Sequence, residues 1–204
     1  MKIVIVFVAV VLILSQAPAR AQSDLTITFD GPPVQPPGSE FSVTSYSEAG
    51  MSFTPLRGST LGRVGADPIP ALPDDGSAYL QAAGNESLKF SFIIRAPFDL
   101  VSLDMAEYST VFPYPLTVHF VGYHPDGSTV STDLITDGII DGTGPLADFQ
   151  TFYFGKDWTN LVRVEMPTSL WSLDNVVVSV PEPQLSCWVF SVGLTVFFHG
   201  LRKP

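Results

Sequence analysis

Apolar and polar residues alternate with a period of two through the middle of this chain. In "LKFSFII", Leu88, Phe90, Phe92 and Ile94 fall on one face. In "PLTVHFVGY", Leu116, Val118 and Phe120 oppose Thr117, His119, Val121 and Tyr123. Successive side chains of a strand point to opposite faces, so each run predicts a strand with one side buried. "DLVSLDMAEY" reads as a strand between them, with Val101, Leu103 and Met105 inward. "LTITF", "FSVTSY" and "GMSFTP" precede these strands, and "DFQTFYF", "NLVRVEM" and "WSLDNVVVSV" follow. Pro125-Asp126-Gly127 supplies a turn that joins two antiparallel strands, with Gly127 free to take positive φ. "GPPVQPPGSE" and "GADPIPALPDDGS" read as Pro-rich loops. Helical periodicity is nowhere sustained, and strands do not alternate with helices, which excludes a doubly wound sheet. About ten short strands bounded by turns predict an all-β, two-sheet antiparallel sandwich, jelly-roll-like, over residues 22–179.

The two ends change that picture. Residues Ile3 to Leu14 are uniformly apolar behind Lys2, and Ala19-Arg20-Ala21 presents small residues where a signal peptidase reads. Residues 1–21 therefore read as a signal peptide, its apolar helix too short to span a bilayer in the ordinary way. Export makes the single cysteine, Cys187, informative: the sandwich has neither a disulfide nor a thiol nucleophile. At the other end, residues 185–201 ("LSCWVFSVGLTVFFHGL") carry no acidic or permanently charged residue, and Arg202 and Lys203 follow. As a helix this run spans about 26 Å at 1.5 Å per residue, close to the hydrocarbon thickness of a bilayer. The basic end favours a cytoplasmic C-terminus. Pro181 and Pro183 stop the last strand and leave an unpaired segment before the membrane.

Val180, Pro181, Glu182 and Pro183 ("VPEP"), the apolar run and the basic end together resemble the PEP-CTERM sorting signal, here residues 180–204. The resemblance implies export, temporary retention in the inner membrane by residues 185–201, and cleavage by an exosortase. It further implies delivery to the cell envelope or extracellular matrix, in association with exopolysaccharide. The apolar run is poorer in leucine than many such tails, and only two basic residues precede Pro204.

Within residues 22–180 there are nineteen acidic and six basic residues. That excess repels phosphate backbones and excludes nucleic acid as a partner. The catalytic inventory is thin. His119 and His124 lie on one strand and its turn, outside any nucleophile motif. Asp104 and Glu107 are three apart on a strand and so face opposite sides, which argues against a cooperating carboxylate pair. The expected function is accordingly non-enzymatic.

"LTITFDG" and "WSLDNVVVS" are also similar to the first and last strands of some carbohydrate-binding sandwich modules. That resemblance implies an alternative function, polysaccharide binding, with a structural calcium held by Asp30 and Asp174. Rings in loops stack on sugar faces when exposed, and Tyr108, Tyr114 and Trp158 are the candidates. Trp171, which opens the last strand, is expected in the core. A small polysaccharide-acting enzyme is the second alternative.

Overall fold

The computed structural model describes residues 22–66, 69–142, 144 and 147–181. The signal segment and most of the sorting tail (Glu182, Pro183, residues 185–201, Arg202 and Lys203) lie outside the described residues. Among the described residues no helix is long and apolar enough to cross a membrane. The sandwich is the compact unit Asp24–Val180.

Thirteen strands build it: β1 Gln22–Ile27, β2 Glu40–Val43, β3 Tyr46–Glu48, β4 Met51–Arg57, β5 Leu61–Val64, β6 Tyr79–Ala82, β7 Ser87–Phe92, β8 Asp99–Glu107, β9 Thr117–Tyr123, β10 Thr129–Ile135, β11 Gln150–Tyr153, β12 Arg163–Met166 and β13 Trp171–Pro181. One sheet, here sheet A, runs β11-β8-β13-β6-β5-β2, with β1 also on β13; the other, sheet B, runs β10-β9-β12-β7-β4-β3. Every pairing with a described register is antiparallel. The described residues form an all-β, two-sheet antiparallel sandwich.

Alternation explains most of these strands. Val118, Phe120, Leu88, Phe90, Leu103 and Met105 are all buried and meet between the sheets. Trp171, fully buried, donates its indole N–H to the Thr168 carbonyl at 2.8 Å. Phe29, Phe53 and Phe90 follow one another at ring separations of 5.0 and 5.3 Å. The predicted hairpin joins β9 to β10: His124 N donates to Ser128 O at 2.9 Å, and Gly127 has φ +87°. The Asp126 carboxylate accepts both Ser128 N and Oγ, which holds its pKa below the usual range.

Two expectations about single residues are corrected. Ile94 is 83% exposed, because β7 ends at Phe92 and a turn closes from Arg95 N to Phe92 O at 2.9 Å. Val101 is only half-buried, while its neighbour Leu100 joins the core.

A buried arginine ties the first loop to sheet A. Arg63, on β5, is 1% exposed. Its guanidinium donates to the carbonyl oxygens of Phe29, Gly31 and Pro33 and lies 4.6 Å over the Tyr46 ring. Glu48 holds the same loop from the other side, accepting Phe29 N at 2.9 Å and the Tyr46 hydroxyl at 2.7 Å.

Candidate functional site

The registers across sheet A sort its side chains by face. Leu80, Leu173 and Met105 stand opposite one another and belong to the main core. Gln81, Ser172 and Ala106 form the adjacent row, flanked by Gly62 and Ser42. Neighbouring positions on a strand face opposite ways, so this row lies on the outer face. Tyr79, Asp174 and Asp104 share that face one step along, and Tyr108 lies two residues beyond Ala106.

Outer positions of a sheet are usually solvated, but these are not. Tyr79, Gln81, Ser172, Asp174 and Ala106 are each at most 1% exposed. The described residues of two loops, 65–66 and 69–78 in one and 136–142, 144 and 147–149 in the other, account for much of the cover. Val64 and Tyr79 form a small second core with Leu72, joined by Ile69 and Phe149. The Phe149 ring meets Tyr79 edge-on at 5.2 Å, and the Tyr79 hydroxyl donates to Pro73 O at 2.8 Å. Asp148 links the loops by accepting Asp74 N at 2.9 Å and Asp141 N at 3.0 Å. A third loop joins them where Thr110 N donates to Ala71 O at 2.9 Å. Glu107, buried at the end of β8, anchors residues 136–138 by accepting the Thr136 hydroxyl and Gly138 N.

The covered row contains unsatisfied polar groups. Both ends of the Gln81 amide, the Ser172 hydroxyl and Asp174 Oδ1 are buried without a hydrogen-bond partner among the described residues. An unmade hydrogen bond on a buried group costs about 1–3 kcal/mol, so a run of them calls for an explanation. Backbone strain adjoins the row: Leu170 has φ +69° and Asn175 has φ +45°. Non-glycine residues held there concentrate at ligand sites.

The Asp174 carboxyl has a second task. Ser77 Oγ lies 2.7 Å from Asp174 Oδ2 and 2.9 Å from Asp75 Oδ1. One hydroxyl proton serves one of these oxygens, so the other carboxyl must bring its own proton. Asp174 is fully buried whereas Asp75 is exposed, and burial disfavours a charged carboxylate, so the protonated partner is Asp174. Burial and then the Asp75 carboxyl push the Asp174 pKa up to about 10. Burial likewise raises the Asp148 carboxyl and the Tyr108 phenol, the latter with help from Glu40 and Glu86.

The structure sorts the expected site residues. Asp30 and Asp174 both hold the 77–78 segment: Asp30 Oδ1 accepts Ala78 N at 3.0 Å, and Asp174 binds Ser77. Each is thus engaged with protein groups of that segment. Among the described residues no group of three or more His, Cys, Asp or Glu comes together to hold a metal. Trp158 is corrected as well: only 4% exposed, it packs on Phe154 at 4.7 Å and offers no stacking surface. Tyr114 is 51% exposed and Tyr108 partly exposed. Asp104 accepts Asn175 Nδ2 at 2.9 Å on the outer face, whereas Glu107 is buried, so the two act separately. His119 lies 2.6 Å from Asp133 on the surface of sheet B.

Gln81, Ser172 and Ser77 went unnoticed in the sequence. The available signal was Gln81 inside "AYLQAA", a polar residue in an otherwise apolar run.

No family model matches the chain, and no curated protein matches it. Among solved structures, a family 11 carbohydrate-binding module from Clostridium thermocellum, in complex with a beta-1,3-1,4-mixed-linked tetrasaccharide, is similar at 10% identity. The match covers 78% of this chain and 96% of that one, with a TM-score of 0.32. The family 11 module of the cellulosomal cellulase Lic26A-Cel5E of the same organism is similar at 10% identity over 80% of this chain and 96% of that one, with a TM-score of 0.30.

Proposed function

We propose that this chain is an exported, non-enzymatic polysaccharide-binding protein of the cell envelope or matrix, and that the outer face of sheet A is its binding face. The observation that carries this reading is the row Gln81–Ser172. A side-chain amide presents a donor and an acceptor side by side, the pair that neighbouring sugar hydroxyls complement. Tyr108 stands at the edge of the row with part of its ring open, and Tyr114 projects from the adjoining loop. Admission of the sugar requires residues 69–74 and 147–149 to move off this face. The order β6-β13-β8-β11 facing β7-β12-β9-β10 supports a jelly-roll arrangement of the sandwich. In the same reading, signal peptidase removes residues 1–21, residues 185–201 hold the protein at the inner membrane, and an exosortase acts near Val180–Pro183.

The test is co-sedimentation of the full-length protein with suspended cellulose and chitosan. Wild type is expected in the pellet with at least one of them. Gln81→Leu is expected to lower retention at least tenfold while melting no lower than wild type, because it removes an unpaired buried amide without shrinking the side chain. Wild type left in the supernatant with both polymers, or Gln81→Leu bound as well as wild type, contradicts the proposal.

A further inference from the structure

We infer that the outer face of sheet A selects an amine-bearing glycan, a polymer of 2-amino-2-deoxy sugars with free amino groups. This rests on the saccharide-binding reading and narrows it. The first ground is the balance of hydrogen-bonding groups. The unpartnered atoms on and beside this face include Gln81 Oε1, Asp174 Oδ1 and Glu86 Oε2, all acceptors, against Gln81 Nε2 and a Ser172 hydroxyl. At Gly62, a Cβ would meet Glu40 Oε1 at 3.2 Å and Gln81 Oε1 at 3.3 Å. Two acceptor oxygens therefore converge over a residue that offers them no side chain. A protonated amine carries three donors and no acceptor, and it complements such a site better than a hydroxyl, which brings an acceptor with every donor.

The second ground is charge. The outer positions of sheet A carry Glu40 and Asp104, and the flanking segments carry Asp75 and Glu86, while the protonated Asp174 adds no charge. Neither these positions nor the loops 65–78, 108–116 and 136–149 contain a Lys or Arg. Of the sandwich's basic residues, Arg63 points into the core side of β5, while Arg57, Lys89 and Arg163 belong to strands of sheet B. Arg163 is engaged there, 4.0 Å over the Tyr123 ring and 3.0 Å from Glu165. Such a face repels uronic acid polymers and attracts cationic ones. The acidic groups alone would describe a solvated surface. The buried, unpartnered Gln81 amide on the same face, 1% exposed, makes it a site.

The experiment is calorimetric titration of the full-length protein at pH 6 and low salt, in a sugar-free nonionic detergent. Three probes are used: the β-1,4-linked glucosamine hexamer, its fully N-acetylated counterpart, and hexalysine. The glucosamine hexamer is expected to bind at least tenfold tighter than either of the others. Glu40→Gln, a change at an exposed position, is expected to weaken it at least threefold without moving the melting temperature. Equal affinity for the two hexasaccharides overturns the amine selectivity and leaves the saccharide reading standing. Hexalysine binding as tightly as the amino sugar shows a general attraction of cations and overturns the glycan assignment. No binding of either saccharide removes both.

Discussion

Arg63→Met is expected to lower the stability of the sandwich by about 2–4 kcal/mol, because several hydrogen bonds from one charged donor are lost together. The physical reason is what the guanidinium leaves behind. Phe29, Gly31 and Pro33 would keep three carbonyl oxygens turned toward an apolar side chain. The Phe29 oxygen lies in buried bonds, where an acceptor without a donor costs about 1–3 kcal/mol, while those of Gly31 and Pro33 are part-buried and cost less. The Tyr46 ring would lose its cation as well. Arg63→Lys is expected to recover only part of the loss. An ammonium on a flexible stem carries the charge but cannot span three carbonyls as a planar fork does. Total stabilities of small domains are about 5–15 kcal/mol, so urea unfolding reads the effect directly as a shift in midpoint. A Met variant within about 1 kcal/mol of wild type would show that the loop is held by other means.

Asp174→Asn is expected to stabilise the protein at pH 8 and leave it little changed at pH 5. The Asp174 pKa stands at about 10 in the folded chain, against about 3.9 for an unfolded aspartate. Between those values the folded state holds one more proton than the unfolded state, so stability falls as pH rises. The limiting slope is about 1.4 kcal/mol per pH unit for one proton. Asparagine has nothing to ionise, and its amide can donate to Ser77 Oγ as the protonated acid does. The stability difference between variant and wild type should therefore grow from pH 5 to pH 8, reaching at most about 4 kcal/mol. Asp148 is also raised by burial, but it is common to both proteins and cancels in the comparison. Calcium and chelator should leave the wild-type melting temperature unmoved. A variant less stable at pH 8, or a wild type that melts lower in chelator, would instead assign Asp174 to a cation.

These two residues also mark where sequence reading stops. Strands with one apolar and one polar face were legible, as in β7 and β9, because alternation follows directly from the pleat. Trp171 was legible as core for the same reason, and the β9–β10 hairpin from Pro125-Asp126-Gly127. Strands β5 and β6 were not. "LGRV" contains a glycine and a buried arginine, so it does not alternate, and "YLQA" is buried on both faces, as the covering loops and core together require. Trp158 looked like a loop ring, but the short 3-10 turn Lys156–Trp158 folds it back onto Phe154. Asp30 and Asp174 were paired by the resemblance to carbohydrate-binding sandwiches, and both contact the 77–78 segment. What they do there depends on Asp75 and Ser77, two residues whose approach to β13 no local pattern announces. The binding row is a long-range product of the same kind: Gln81 and Ser172 are neighbours only because β6 pairs with β13.

The most direct test of the central claim is a nuclear magnetic resonance titration of the full-length protein with β-1,4-linked hexasaccharides of glucose and of glucosamine. The account predicts shifts in the Gln81 side-chain amide and in the backbone amides of residues 79–82, 106–108 and 170–174, with strands β9, β10 and β12 unmoved. Shifts confined to those strands of sheet B, or no shifts with either sugar, would contradict it.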